Sequence, residues 1–283
     1  MRLALGSRVL GSGLLIAALI GMTGCQQAAR YFMENKALTT GPNGSENPGS
    51  LGVPYQRLKL SSSSRYLDSY VVRAPVTCLH SRVILIYHGV QETISFWAAA
   101  QRFLFDHCIA SVVFDYTGSG DSSRPARFEA VNEDAVAVYE DVRQLFPNTR
   151  IYVLGHSMGN GPMLQGVPQF SVPPSGIIVA SAFSSIRDYG GRAGKFYRIL
   201  ASFSPDWWNN VVNVRRATAP LLVIHSDQDA VNPLSEGKMV FTSAPDPKQL
   251  IILHGFPHNA IYRDPSESWW QPVLSFVSDG PEN

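Results

Sequence analysis

Apolar positions follow two different spacings from residue 54 to the end of the chain. Short continuous apolar runs are typical of strands buried on both faces of a sheet, and they lie at residues 83–87, 111–116, 151–154, 176–180, 221–224 and 249–253. Between them, apolar residues recur every three or four positions, as in amphipathic helices, at residues 93–105, 129–145 and 266–277. Two alternating segments, 55–60 and 66–72, flank four serines and predict an opening hairpin.

This alternation of strands and helices predicts an α/β protein. Successive strand–helix units place neighbouring strands parallel and cover both faces of the sheet with helices. Because the hairpin makes the sheet mixed, we expect eight strands, mostly parallel, in one domain over residues 54–283. The stretch 183–216 breaks the rhythm and is predicted to be an inserted cap. The aromatic residues of this stretch have two interpretations: they hold an apolar part of a substrate, or they pack the cap onto the body. They are Phe183, Tyr189, Phe196, Tyr197, Phe203, Trp207 and Trp208.

The first 24 residues have the features of an export signal. Arg2 and Arg8 precede a short apolar core, residues 14–22, which is too brief for a comfortable spanning helix. The segment ends in Met-Thr-Gly-Cys, which resembles the lipobox of bacterial lipoproteins. The resemblance implies that Cys25 is diacylated and anchors the protein in the bacterial cell envelope, on the periplasmic side of the outer membrane in a Gram-negative source. An ordinary cleaved signal peptide and an uncleaved anchor are the alternatives.

Residues 25–53 contain several turns rich in glycine and proline and predict a flexible tether. Export places Cys78 and Cys108 in an oxidising compartment. Each of these cysteines precedes an apolar run, so their thiols lie at the same end of the sheet if the two strands are parallel neighbours. A disulfide and two buried free thiols are both open interpretations.

The composition excludes several classes of protein. With 45% hydrophobic and 16% charged residues, the chain is neither a disordered protein nor a polytopic membrane protein. Its 23 Lys and Arg nearly balance its 22 Asp and Glu, so it has no electrostatic feature that indicates a nucleic-acid partner.

The sequence Gly155-His156-Ser157-Met158-Gly159 follows the apolar run 151–154 directly. At a sharp strand-to-helix turn, glycines two positions either side of a serine avoid clashes with the strained backbone. The turn exposes the Ser157 hydroxyl, and the Met158 N–H then points at the oxyanion that develops during acyl transfer. The motif therefore predicts Ser157 as a nucleophile.

A serine hydroxyl is a poor nucleophile unless a base removes its proton and an acid orients that base. Asp229 stands after the apolar run 221–224, and His258 stands after the run 249–253. Because the carboxyl ends of parallel strands meet at one edge of a sheet, Ser157, Asp229 and His258 are expected to converge.

These motifs resemble those of the α/β-hydrolase superfamily over roughly residues 54–279. The similarity is to small-cap members of the serine aminopeptidase and acyl-thioesterase type. It implies that the catalytic acid is Asp229 rather than Asp227, and that the base is His258 rather than His254. The turn His88-Gly89-Val90 resembles the oxyanion loop of the superfamily, which implies that the Val90 N–H is the second oxyanion donor.

No metal or cofactor site is indicated. His254 and His258 have a spacing that suits a metal on a helix, but Gly255 and Pro257 argue against a helix there. The resulting hypothesis is a membrane-anchored serine hydrolase that cleaves a carboxylester or thioester of a small molecule or lipid through an acyl-enzyme. A peptidase or acyltransferase with the same triad, or a non-catalytic binding protein of the envelope, is the alternative.

Overall fold

The structure is a computed structural model that describes residues 26–78, 82–192, 194–203 and 205–278. The predicted export signal and the lipidation site, Cys25, lie outside the described residues.

One mixed sheet of eight strands runs through the molecule in the order β1-β2-β4-β3-β5-β6-β7-β8. The antiparallel pairs are β1 with β2 and β2 with β4, and every other neighbouring pair is parallel. The predicted eight-stranded, mostly parallel sheet is therefore confirmed. The strands are Gln56–Ser62 (β1), Arg65–Val72 (β2), Arg82–Tyr87 (β3), Ala110–Phe114 (β4), Arg150–His156 (β5), Gly176–Ala180 (β6), Leu221–Ser226 (β7) and Lys248–Leu253 (β8).

Helices cover both faces of the sheet because the central strands are apolar on both sides. In β3, for example, Val83, Leu85 and Tyr87 face one core while Ile84 and Ile86 face the other. The helices are residues 26–37 (α1), Ala98–Asp106 (α2), Phe128–Leu145 (α3), Asn160–Gly166 (α4), Ile186–Arg192 (α5), Lys195–Phe203 (α6), Asn210–Asn213 (α7), Leu234–Ser243 (α8), Ala260–Arg263 (α9) and Glu267–Ser278 (α10). The first core takes buried side chains from α1, α3, α4 and α8, and the second from α2, α9 and α10.

The segment predicted as a flexible tether is instead ordered and packed over residues 26–53. The cause is an apolar stripe that the sequence analysis missed: Ala29, Met33 and Ala37 recur every four residues and are buried. The buried Glu34 also accepts a hydrogen bond from the Phe128 N–H, at 3.1 Å, and so satisfies a free amide at the start of α3. These contacts hold α1 against the body of the protein.

The stretch predicted as a cap contains α5, α6 and α7 between β6 and β7. Its aromatic residues divide between the two interpretations. Trp208 is fully buried against Phe128, and its indole donates to Asn132 at 2.7 Å, so it packs the cap onto the body. Phe183 and Tyr189, by contrast, line a pocket at the carboxyl edge of the sheet.

Cys78 and Cys108 form a disulfide in the structure. Because β3 and β4 are parallel neighbours, the residues that precede them meet at the amino end of these strands. The bond therefore lies at the opposite end of the sheet from the carboxyl ends of the strands. Of the two open interpretations, the structure has the disulfide.

Candidate active site

Ser157 stands at the sharp turn between β5 and α4. Its φ of 52° lies in the left-handed region, which an L-residue rarely adopts. A Cβ on Gly159 would lie 2.0 Å from the Tyr87 carbonyl oxygen, and one on Gly155 would lie 2.6 Å from Asn160 Oδ1. Only glycine fits at these two positions, which explains the G-x-S-x-G spacing in terms of close backbone approach.

Ser157, His258 and Asp229 form one hydrogen-bonded chain. His258 Nδ1 lies 2.7 Å from Asp229 Oδ2, and His258 Nε2 lies 2.9 Å from Ser157 Oγ. A carboxylate can only accept, so Nδ1 carries the ring proton and Nε2 is left to accept from the serine hydroxyl. The three residues come from the loops after β5, β7 and β8, so parallel topology brings them together as expected.

Asp227 and His254 form a separate pair on the surface. His254 Nδ1 lies 2.7 Å from Asp227 Oδ2, and the His254 side chain is largely exposed. The structure thus places Asp229, not Asp227, against His258.

The loop around Asp229 keeps its carboxylate charged. Burial acts to raise the pKa of Asp229, but the hydrogen bond and charge of His258 oppose it. The N–H groups of Val231 and Asn232 also donate to Asp229 Oδ1, at 2.9 and 2.8 Å. The net result is a pKa below the ordinary value for aspartate. Asp229 is therefore able to hold His258 in one orientation.

The turn after β3 lies beside the serine. Val90 and Met158, the two expected oxyanion donors, line one pocket together with Ser157. A Cβ on Gly89 would lie 2.4 Å from Glu92 Oε1 and 3.2 Å from the Ser157 Cβ, so glycine lets the turn approach both residues closely. His88 is buried and its Nδ1 lies 2.8 Å from the Gly89 carbonyl oxygen, an arrangement that braces the turn.

Sequence analysis missed a second buried pair, Glu92 and His156. His156 Nδ1 lies 3.0 Å from Glu92 Oε1, and His156 Nε2 lies 3.1 Å from the backbone oxygen of His258. Both neighbours of the ring are acceptors, so both ring nitrogens carry protons and His156 is an imidazolium. The one sequence signal for this pair is a glutamate two residues after Val90 of the oxyanion turn.

The electrostatics of the pair agree with this assignment. Burial acts to lower the pKa of His156, but the charge and hydrogen bond of Glu92, together with the backbone oxygen of His258 and the charge of Asp229, outweigh it, and the pKa is raised. Burial likewise acts to raise the pKa of Glu92, but His156 and the Gly89 N–H lower it. Glu92 Oε2 accepts from the Gly89 N–H at 2.8 Å and from Trp97 Nε1 at 2.9 Å. The pair therefore connects the oxyanion turn to the loop that carries His258.

Two spaces meet at Ser157. One is a narrow apolar pocket of about 20 Å³, and the other is an open, more polar cleft of about 580 Å³. The pocket takes its walls from α1, α5 and the elbow, and its lining includes Ala37, Met158, Phe183, Ile186 and Tyr189. The cleft lining includes Thr40, Gln91, Phe96, His258 and Arg263. An ester bound at Ser157 thus has an apolar recess of about methyl size on one side and a much roomier polar cleft on the other.

Within the described ranges, no three His, Cys, Asp or Glu side chains are grouped so as to hold a metal ion. A search of those same residues for a helix long and apolar enough to cross a bilayer also found none.

Comparison with known proteins agrees with this geometry. The family "Serine aminopeptidase, S33" matches residues 80–212, a little under half of the chain. The chain is 29% identical to the lysophosphatidylserine lipase ABHD12 of Danio rerio over 182 residues, which are 54% of this chain and 47% of that protein. It thus spans about half the length of the curated relatives that it matches.

Two solved structures superpose over most of the chain. The Pyrococcus furiosus esterase Pf2001 covers 86% of this chain and 97% of its own, with a TM-score of 0.70 and 16% identity. Est1E from Butyrivibrio proteoclasticus covers 79% and 98%, with a TM-score of 0.65 and 18% identity. The chain has the α/β-hydrolase fold. Together, the family match, the lipase relatives and the esterase structures support a serine hydrolase that acts on esters.

Proposed function

We propose that this chain hydrolyses carboxylesters or thioesters through an acyl-enzyme on Ser157. His258 takes the hydroxyl proton as Ser157 attacks the carbonyl carbon, and then gives it to the departing alkoxide or thiolate. Asp229 holds the imidazole and stabilises its cationic form. The N–H groups of Val90 and Met158 donate to the oxyanion, and a water activated by His258 then releases the acid.

The observation that carries the proposal is the continuous hydrogen-bonded chain from Ser157 Oγ to Asp229. Its two distances, 2.9 and 2.7 Å, are within the hydrogen-bond range that a serine nucleophile, its base and the orienting acid require. A binding protein on the same scaffold would have no need of the strained serine backbone or of the two glycines that permit it.

For the substrate, we propose a lipid ester with a single acyl chain. The narrow apolar pocket beside Ser157 accepts the first methylenes of an acyl group, and Arg263 in the cleft suits a polar or anionic leaving group. The Danio rerio relative is a lysophosphatidylserine lipase, and its activity is of this kind.

A peptidase is less well supported. An aminopeptidase has to bind the free amino terminus of its substrate, usually with a carboxylate. Among the described residues that line the cleft, the acidic one is Glu92, and it is already engaged by His156, Gly89 and Trp97.

Membrane anchoring is part of the proposal. The apolar run 14–22 and the Met-Thr-Gly-Cys sequence support export and lipid attachment at Cys25 in the bacterial cell envelope. Mass spectrometry of the mature N-terminal peptide tests this: a diacylated Cys25 is expected, and an unmodified residue there would refute it.

The first experiment is hydrolysis of p-nitrophenyl acetate, butyrate, octanoate and palmitate by the full chain. We expect activity that is lost in Ser157→Ala, and a fall of about 10⁴-fold in kcat for Asp229→Asn. Asp227→Asn is the matched control, because it breaks the other Asp–His pair and leaves His258 in place. A folded protein that hydrolyses none of these esters would overturn the proposal, and equal effects of the two asparagine variants would overturn the assignment of the acid.

A further inference from the structure

Exposed apolar side chains from α1 and α6 form one continuous surface. It consists of Tyr31, Phe32, Phe196 and Ile199, with exposed fractions of 65%, 41%, 58% and 61%. The rings of Phe32 and Phe196 lie 5.9 Å apart, and those of Tyr31 and Phe32 lie 5.8 Å apart. Ile199 follows Phe196 by three residues on α6, so the two share a face of that helix. We call these four residues the aromatic surface.

The aromatic surface and the pocket at Ser157 are built from the same part of the molecule, α1 and the cap helices. Phe32 on the surface and Ala37 in the pocket wall both belong to α1 and are five residues apart, about 7.5 Å along a helix. The facing wall is α5, with Ile186 and Tyr189, and α5 leads directly into α6. The pocket and the aromatic surface therefore share α1 and lie on consecutive cap helices, α5 and α6.

Basic residues border the aromatic surface. Lys36 follows Phe32 by one turn of α1, and Lys195 and Arg198 flank Phe196 on α6; all three are exposed. Aromatic rings with lysine and arginine at their edge are typical of protein faces that lie in the headgroup region of an anionic bilayer. A hydrophobic patch rimmed in this way is a mark of an interaction site.

The position of the aromatic surface in the chain favours the same partner. The apolar run 14–22 and Cys25 immediately precede α1, so a tether at either would hold Phe32 within a few residues of the membrane. We propose that the aromatic surface docks on a phospholipid bilayer containing anionic lipids and passes single-chain lipid esters to the pocket. This inference rests on the proposed ester hydrolase function.

Tryptophan fluorescence tests the docking directly. The full chain is reconstituted in vesicles of phosphatidylcholine and phosphatidylglycerol, with and without brominated phosphatidylcholine as a quencher. In Phe196→Trp, we expect the added tryptophan to shift to the blue and to be quenched beyond the wild-type background. Val76→Trp is the control, because Val76 is fully exposed and precedes β3, at the end of the sheet opposite to the cap.

Hydrolysis separates docking from catalysis. We expect the double variant Phe196→Asp, Ile199→Asp to lose about tenfold or more of its activity on a lysophospholipid held in vesicles, and to keep its activity on p-nitrophenyl acetate. Equal quenching at positions 76 and 196, or none at 196, would overturn the docking surface. So would a spectral shift that depends on protein concentration in the absence of lipid, since a second copy would then cover the surface. Quenching at 196 in a chain that hydrolyses no ester would support docking and refute the proposed function instead.

Discussion

The pair of Glu92 and His156 links the two sides of the active site through side chains that touch no substrate carbonyl. One carboxylate oxygen of Glu92 accepts from the Gly89 N–H beside the oxyanion donor Val90, and the other accepts from His156. The second ring nitrogen of His156 donates to the backbone oxygen of His258. We therefore predict that both act as positioning residues, which couple the oxyanion turn to the loop of His258.

Glu92→Gln tests this coupling. An amide has one accepting atom, so it cannot accept from His156, Gly89 and Trp97 as the carboxylate does. We expect kcat for p-nitrophenyl acetate to fall by up to about 10²-fold with KM little changed, because the oxyanion turn and His258 lose their common support. Glu236→Gln serves as the control, since Glu236 is a buried carboxylate that pairs with Arg192 in the cap. An unchanged kcat, or an equal effect of both variants, would contradict the positioning role.

The same pair gives the stability of the fold a pH dependence. The lowered pKa of Glu92 contributes stability above the ordinary carboxyl pKa, about 4.3, and loses it as pH falls. The raised pKa of His156 contributes stability below about 6.5 and loses it as pH rises through its folded value. Urea unfolding across pH should therefore show a maximum between these limits. In Glu92→Gln the decline on the alkaline side should disappear, and a decline of unchanged slope would rule out the imidazolium.

The residues of the triad could be predicted from the sequence, whereas Glu92 could not. Ser157, Asp229 and His258 each follow an apolar run, so the parallel topology predicts that their loops converge, and the family resemblance selected Asp229 over Asp227 and His258 over His254. The role of Glu92 depends on a contact with a residue 64 positions away, and on the burial of a charge that local pattern assigns to the surface. The periodicity of apolar residues does not predict which charged residues are buried and functional.

At the scale of elements, α1 forms part of the binding pocket as well as part of the core. Turn-forming residues after position 40 indicated a tether, but Pro48–Leu51 form a short 3-10 helix capped by Asn47. The stripe of Ala29, Met33 and Ala37 is short and made mostly of alanine, so its apolar character is weak by sequence. Its burial depends on a groove that exists only once the cap and α3 are in place, which local sequence does not reveal.

Ala37→Leu tests the part that α1 has in substrate choice. The larger side chain would fill the narrow pocket beside Ser157, so we expect activity to shift towards p-nitrophenyl acetate and away from the octanoate ester. Overpacking should cost about 1–3 kcal/mol of stability. Ala29→Leu is matched to it, being the same change at a buried position on the same helix away from the pocket lining. The same acyl preference in both variants would show that α1 does not bound the acyl site.

At the scale of the whole molecule, the carboxyl and amino ends of the parallel strands have different roles. The carboxyl ends of the strands carry the site and the cap, while the disulfide joins the segments that precede β3 and β4. The mostly parallel sheet could be predicted because strand–helix alternation leaves few topologies. Whether the two cysteines were bonded depended on how closely Cys78 and Cys108 approach, with Cα atoms 5.6 Å apart, which the hydrophobic pattern leaves undefined.

The disulfide should stabilise the fold without affecting catalysis. Its cysteines are 30 residues apart, and closing a loop of that length in the unfolded chain is worth about 3–4 kcal/mol. We expect the double variant Cys78→Ser, Cys108→Ser to lose about that much free energy of unfolding in urea. Its kcat for p-nitrophenyl acetate at room temperature should match that of the wild type. A loss of activity in the folded double variant would mean that the amino end of the sheet influences the active site.

Because α1 packs against the body of the protein, it also limits where the chain can be truncated for expression. A fragment that begins at residue 54 would keep the whole sheet and all of Ser157, Asp229 and His258. It would nevertheless lack Ala37 from the pocket wall, Glu34 from the start of α3 and the Thr39 carbonyl that accepts from the Gln91 N–H beside the oxyanion turn. Such a trimmed enzyme would have an acyl site open on one side, and its substrate profile would describe the truncation rather than the native protein.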